Sequence, residues 1–174
     1  CALGHEMRLR RVPGDFVTFV IDTNPNYTNV CITDCLFCAF YRKPGHEEAY
    51  WHSVDEIVEM VGRAVEKGAT TSLLQGGHNP EIPFCYYTDV VRALKKAYPD
   101  LCVHLWSPSE IATMSEVSGL SIREVLQALW DAGQRTIPGG GAEILVERVR
   151  KRISPKKPTS DNWLNVMREA HRIG

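Results

Sequence analysis

Apolar positions along this chain alternate between two rhythms. Short, nearly continuous apolar runs occur at Phe16–Asp22, Ala69–Leu74 and Leu101–Trp106, rich in β-branched and aromatic residues. Runs of that length with little polar interruption are the pattern of strands buried on both faces. Between them the spacing becomes helical. Val54, Ile57, Val58, Val61 and Val65 form one apolar stripe, and Ser53-x-x-Glu56 ahead of it is a capping box, in which side chain and backbone satisfy each other's unpaired donors. Gly68 stands where a left-handed helix cap is wanted. Further helices are expected over Tyr87–Tyr98, in a short piece after SPSEI (107–111), and from the capping box Ser121-x-x-Glu124 to Gly133. Gln134–Ile137 reads as a short fourth strand. Glu143–Ile153 and Ser160–Ile173 read as helices, the second capped by Gly174, and Cys1–Arg11 reads as a helix ahead of the first strand.

Each strand is followed by a loop and then a helix, the repeat of a parallel α/β sheet. Four such units are half of an eight-fold barrel, which takes about 250 residues. The expectation is one truncated domain over residues 1–174, the N-terminal part of a longer enzyme, cut at both ends. In such folds functional groups collect at the C-terminal ends of the strands. Four loops should therefore converge: Thr23–Gly45, QGGHNP, WSPSE and PGGGAE.

Composition narrows the class. A net charge of −1 gives no global field toward nucleic acid or membrane. No apolar run is long enough for a signal peptide or a membrane span, so a cytoplasmic protein is expected. The exception in charge is RVRKRISPKK, residues 148–157, with six cations in ten. It reads either as a solvated helix face or as a contact for a substrate or cofactor carboxylate, with Arg148 or Arg150 as the candidate. No aromatic platform accompanies it for nucleic-acid bases.

The densest chemistry is CITDCLFC, where Cys31, Cys35 and Cys38 have the spacing C-x3-C-x2-C. A disulfide would need an oxidising compartment. A structural zinc site would want a fourth ligand from a second pair nearby, and none is present. Iron–sulfur clusters are held by thiolates, normally four for a four-iron cluster. Three local thiolates leave one iron open to a ligand. Cys85 and Cys102 stand singly, as does Cys1, and buried small-residue roles suit the first two.

The other loops carry weaker signals. Gly76 and Gly77 in Gln75-Gly76-Gly77-His78 permit close backbone approach to a ligand, or simply a tight turn. Ser107 and Glu110 follow the third strand. Glu110 is a candidate ribose ligand or base, or a first-turn residue favoured by the helix dipole. His104 reads as a core histidine. Three successive glycines, Gly139–Gly141, are costly in chain entropy and imply close approach, with Glu143 placed toward ribose hydroxyls or at a helix start.

The cysteine spacing, with Phe37 just before the last cysteine, resembles the radical S-adenosylmethionine superfamily. Longer strings, NYTNVCITDCLFCAFYRKPGHEEAY (26–50), LLQGGHNP (73–80), HLWSPSEI (104–111) and PGGGAEILVERVRKRISPKK (138–157), resemble its cyclic dehypoxanthine futalosine synthase family. The aminofutalosine synthase and deazaflavin-forming FO synthase families share several of them. The resemblance implies a [4Fe–4S] cluster on Cys31, Cys35 and Cys38, with S-adenosylmethionine as second cofactor. It implies dehypoxanthine futalosine as small-molecule substrate in menaquinone biosynthesis, and a reducing donor such as flavodoxin or ferredoxin. It implies Phe37 or Tyr41 beside the adenine, Gln75, Gly76 and Gly77 near the methionyl amine, and Ser107 and Glu143 near ribose or substrate. Glu110 and Glu143 are its candidate catalytic groups. The family's usual acidic residue after the glycine pair is absent here, where His78 stands. Half a barrel would not enclose a radical, so residues 1–174 alone are expected to be inactive.

Overall fold

A computed structural model describes residues 2–12, 14 and 16–174. Helix α1 (Ala2–Arg11) precedes strand β1 (Asp22–Thr23), α2 (Val54–Val65), β2 (Thr71–Leu74), α3 (Phe84–Ala97), β3 (Cys102–Leu105) and α4 (Pro108–Ser118). Then come α5 (Ile122–Ala132), α6 (Glu147–Ile153) and α7 (Ser160–Ile173). The strands form a parallel sheet in the order β1-β2-β3, with Thr71 opposite both Asp22 and Cys102. It is the expected α/β arrangement. Cys1, placed in the first helix by its sequence pattern, lies outside the described residues.

Local chemistry sets most helix ends. Capping boxes start α2 at Ser53 and α5 at Ser121, and Gly133 ends α5 with φ +117°. Ser107 and Glu110 form a third capping box, which opens an eleven-residue α4 where only a short piece was expected. Helix α3 starts three residues earlier than its apolar pattern implies, directly after Pro83. Helix α6 starts later, at Glu147. Gly141 and Glu143 carry φ +83° and +24°, which no right-handed helix accommodates.

Buried side chains of α2–α5 pack on one face of the sheet. Ile57, Val61, Leu74, Val90, Leu94, Leu105, Ile111 and Leu129 form the centre of this core. At the site end it becomes aromatic. Tyr27 and Tyr87 each meet Trp106 edge to face, with centroids 5.0 and 5.1 Å apart, a favoured aromatic geometry.

Two strand expectations are corrected. Of Phe16–Asp22 only Asp22 pairs, while Val17 and Phe19 are 81% and 82% exposed. The apolar composition signals a strand suited to burial, but no described layer covers that flank. The fourth strand is reduced to a single parallel bridge between His104 and Thr136. There the Gln134 side chain donates to the Leu105 carbonyl at 2.6 Å and displaces backbone pairing. Cys85 and Cys102 are exposed rather than buried.

Candidate active site

The loops after β1, β2, β3 and the Thr136 bridge do meet. They enclose a cavity of about 280 Å³ lined by Cys31, Cys35 and Cys38, and by Phe37, Tyr41, Gln75, Gly76, Gly77, Ser107, Glu110 and Glu143. A second hollow, of about 320 Å³, lies between α5, α7 and the Thr136 edge. It is mostly apolar and holds none of these residues.

Backbone bonds hold the cysteine loop on several sides. Cys31 N–H donates to Arg42 O at 2.9 Å, Ile32 N–H to His78 O at 3.1 Å, and Leu36 N–H to Ile153 O at 2.9 Å. Asp34 turns the chain with φ +49°, and its carboxylate pairs with Lys156. The Thr33 hydroxyl sits between two sulfurs, 3.1 Å from Cys31 Sγ and 3.4 Å from Cys35 Sγ. All three cysteines are free thiols on the same cavity.

Three free thiols on one cavity are the donor set that an iron–sulfur cluster uses. Among the described residues, no three His, Cys, Asp or Glu side chains close on one point as a single ion requires. A tetrahedral zinc with bonds of about 2.3 Å needs its sulfurs in near contact. A four-iron cube places each thiolate on a different iron and spreads them.

The glycines serve the packing of these loops. A Cβ on Gly77 would stand 2.0 Å from Val30 O, and one on Gly76 would stand 2.6 Å from the Tyr27 ring. The cysteine loop crosses the end of β2 where those side chains would be. Both amides of the pair are engaged, Gly76 with Glu110 at 3.1 Å and Gly77 with Thr28 O at 2.9 Å. The Gly77 carbonyl is engaged as well, accepting from the Tyr27 hydroxyl at 3.2 Å and from Asn79 N–H at 3.1 Å. In the later loop, Gly140 and Gly141 make the same close contacts with Gln75 and Ser109, whereas a Cβ on Gly139 would meet nothing.

Glu110 ties these loops together. Its Oε1 accepts from Gly76 N–H and from the Tyr27 hydroxyl at 2.9 Å. Its Oε2 accepts from Ser107 N–H at 2.8 Å and Ser107 Oγ at 2.5 Å. Burial raises its pKa, and the donors pull it back. Burial likewise pushes the Tyr27 phenol well above its usual range, aided by the Glu110 charge. The sequence suggested a ribose ligand or base at Glu110. The structure has its carboxylate and the Ser107 hydroxyl engaged by protein groups at the start of α4, in line with the alternative reading of Glu110 as a first-turn helix residue.

The charge run divides at Ser154-Pro155. Arg148 is exposed. Arg150 is buried, and its guanidinium donates to the carbonyls of Gly141, Ala142, Ile144 and Pro158. It pins the glycine loop, which corrects its reading as a carboxylate ligand. The cation that reaches the cavity is Lys157, whose Nζ lies 2.6 Å from Glu143 Oε1 and 5.5 Å from the Phe37 ring centre. Sequence reasoning passed over it, although the proline break sets it apart from the helix face. His78 was also undervalued. It is buried against the cavity, Nδ1 lies 2.6 Å from Thr113 Oγ1, and burial, with the Lys157 charge, lowers its pKa to about 3. His104 bonds Thr136 Oγ1 at 2.8 Å, away from this site.

Comparison with known proteins agrees with this geometry. The radical SAM superfamily matches over residues 25–174. Cyclic dehypoxanthine futalosine synthase of Halalkalibacterium halodurans is 43% identical over 173 residues, covering 99% of this chain and 47% of that protein. FO synthase of Mycobacterium tuberculosis is 45% identical over 173 residues, again 99% of this chain but 20% of that protein. Among solved structures, methylornithine synthase (PylB) superposes with a TM-score of 0.71 at 15% identity, over 99% of this chain and 47% of that one. The chain thus spans less than half the length of these relatives.

Proposed function

Because the chain belongs to the radical SAM superfamily, with its [4Fe–4S] cluster and S-adenosylmethionine, we propose that it is part of the enzyme that cyclises dehypoxanthine futalosine in menaquinone biosynthesis. The observation that carries this reading is the cavity itself: three free thiols, two glycine turns and one half-buried lysine converge on it. Cys31, Cys35 and Cys38 would hold the cluster, which with bound S-adenosylmethionine would supply radical chemistry at the substrate ribose.

The chain's own residues bind, orient and exclude water. Cys31, Cys35 and Cys38 hold the cluster by their sulfurs, with Thr33 between two of them. Phe37 or Tyr41 provides an aromatic face for the purine. Gln75 and Gly76 line the cavity on the side of the methionyl amine, and Lys157 offers a cation to a carboxylate, while Glu143 lies next to it for ribose hydroxyls. Ser107 and Glu110 fix the turn from behind. A primary carbon radical reacts with almost anything near it, so closure and fixed contact distance are prerequisites for specific chemistry.

A sibling activity has a specific observation in its favour: FO synthase is as similar as the cyclic synthase, at 45% against 43% identity. The segment YRKPGHEEAY (41–50) favours the cyclic synthase. Reduction by flavodoxin or ferredoxin in the cytoplasm fits this chemistry, and no described helix is long and apolar enough to cross a membrane. The test is turnover by the full-length protein on dehypoxanthine futalosine against the aminofutalosine and FO synthase substrates. Cyclisation of the first is expected. Turnover confined to a sibling substrate would reassign the enzyme within the superfamily.

A further inference from the structure

Three cations of the run 148–157 have partners in the site. Arg150 pins the glycine loop, Lys157 pairs with Glu143, and Lys156 pairs with Asp34 of the cysteine loop. The other three differ. Arg148, Lys151 and Arg152 stand at i, i+3 and i+4 of α6, so they share one helix face. All three are exposed, and among the described residues none enters an ion pair. The one carboxylate of this helix, Glu147, is turned to Ser160 N–H. The helix dipole favours cations in the last turn, which accounts for Lys151 and Arg152, but it disfavours Arg148 in the first.

The place of this face in the fold suggests its use. Ile153 ends α6, and its carbonyl accepts from Leu36 N–H at 2.9 Å. Leu36 lies between Cys35 and Cys38 and is 76% exposed, the most exposed large apolar residue of the cysteine loop. Lys156 and Lys43 both act on Asp34, two residues before it. Asp34 is also the single acidic residue in segments 32–43 and 148–157, which together carry eight cations. The cysteine loop therefore turns an apolar tip to solvent with cationic segments beside it.

We propose that the Leu36 tip and the Arg148, Lys151 and Arg152 face form the docking surface for an acidic one-electron donor protein. The inference rests on the reading of the cavity given above and adds to it the side on which the electron enters. In the transfer the donor loses one electron and the cluster gains it, and no bond forms or breaks. A partner's redox group must come close to the cluster, and the exposed stretch between two of its cysteines is where protein cover is thin. Redox encounters of this kind bury little surface. Complementary charge then sets how often the partners meet in the right orientation, and unpaired Arg and Lys around a small apolar contact supply that charge.

The test is anaerobic stopped-flow reduction of the cluster-reconstituted, full-length protein by reduced flavodoxin and, separately, by dithionite, which needs no docking. With flavodoxin the native rate should fall steeply as salt is added. Arg148→Glu, Lys151→Glu and Arg152→Glu together should slow flavodoxin about tenfold at low salt and flatten the salt dependence. Dithionite should stay within about twofold of its native rate. Arg63→Glu, Lys67→Glu and Lys96→Glu make the same change in net charge at the far ends of α2 and α3, and should leave flavodoxin within about twofold. Unchanged flavodoxin rates in the α6 variant would overturn the inference, as would equal slowing in both triple variants, the mark of net charge alone. Equal slowing with dithionite would also overturn it, because the substitutions would then act on the cluster rather than on docking. Native protein that assembles no cluster reducible by dithionite would instead overturn the reading of the cavity itself.

Discussion

The loop end of the sheet and its β1 flank are built in opposite ways. At the loop end there is little slack: Gly76, Gly77, Gly140 and Gly141 bring backbones into direct contact, and Glu110 joins three loops through one carboxylate. Along the flank, Phe16, Val17, Phe19 and Val20 stand exposed beside a two-residue strand. Cofactor-holding geometry is thus built by local contacts within this chain, whereas the apolar flank has no covering layer among the described residues. The contrast bears on function, because binding a cluster needs only the first kind of structure. Controlling a carbon radical also needs enclosure.

Substitutions at the two places should differ sharply. Gly77→Ala puts a methyl group against the Val30 carbonyl, which is backbone and cannot swing aside. It should cost about 3 kcal/mol, read as a fall in thermal midpoint of about 6–12 °C. Gly139→Ala, in open space, is its control. A Gly77→Ala protein as stable as the native one would break the contrast from the side of the site.

Glu110→Gln comes next, because it turns an amide N–H toward groups that themselves donate. A loss of about 2 kcal/mol in urea unfolding is expected. Its pH dependence is distinctive. The folded-state pKa of Glu110 is raised above 4.5, so the fold binds this proton more tightly than the unfolded chain does. That contribution is fully present below 4.5 and is lost as pH rises through the raised value. The half-buried residues Asp34 and Glu147 act in the opposite sense, since Lys156 and Ser160 lower their pKa values. The difference between native and Glu110→Gln stability, followed from pH 4 to 8, isolates the Glu110 part. A difference that grows steadily with pH would contradict the assignment.

The smallest effect is expected on the flank. Phe19→Ser at an 82% exposed position should change stability by less than about 0.5 kcal/mol. A large loss would mean that this segment is packed in solution.

The same contrast explains what the sequence made legible. A Ser-x-x-Glu pattern is a local signal and starts helices at Ser53 and Ser121 as read. At Ser107 the identical pattern lay inside a candidate site, where chemistry and capping compete for the same carboxylate, and only the positions of Tyr27 and Gly76 separate them. Cysteine spacing is equally local, and the three thiols do share one cavity. Apolar composition at Phe16–Asp22 reports that a strand suits burial, not that a partner layer is present. Three glycines in a row report that close approach is needed, but not to what. Lys157 was hidden because a charge run is read as an average, while its role depends on the turn at Pro155 that sends one side chain back over Phe37.

The most direct test of the account is an electron paramagnetic resonance spectrum of anaerobically reconstituted, reduced protein, with and without S-adenosylmethionine. The account predicts a four-iron signal that changes when S-adenosylmethionine is added and is lost in Cys35→Ser. A four-iron signal indifferent to S-adenosylmethionine would contradict it, since a fourth protein ligand would then close the iron that the three cysteines leave open.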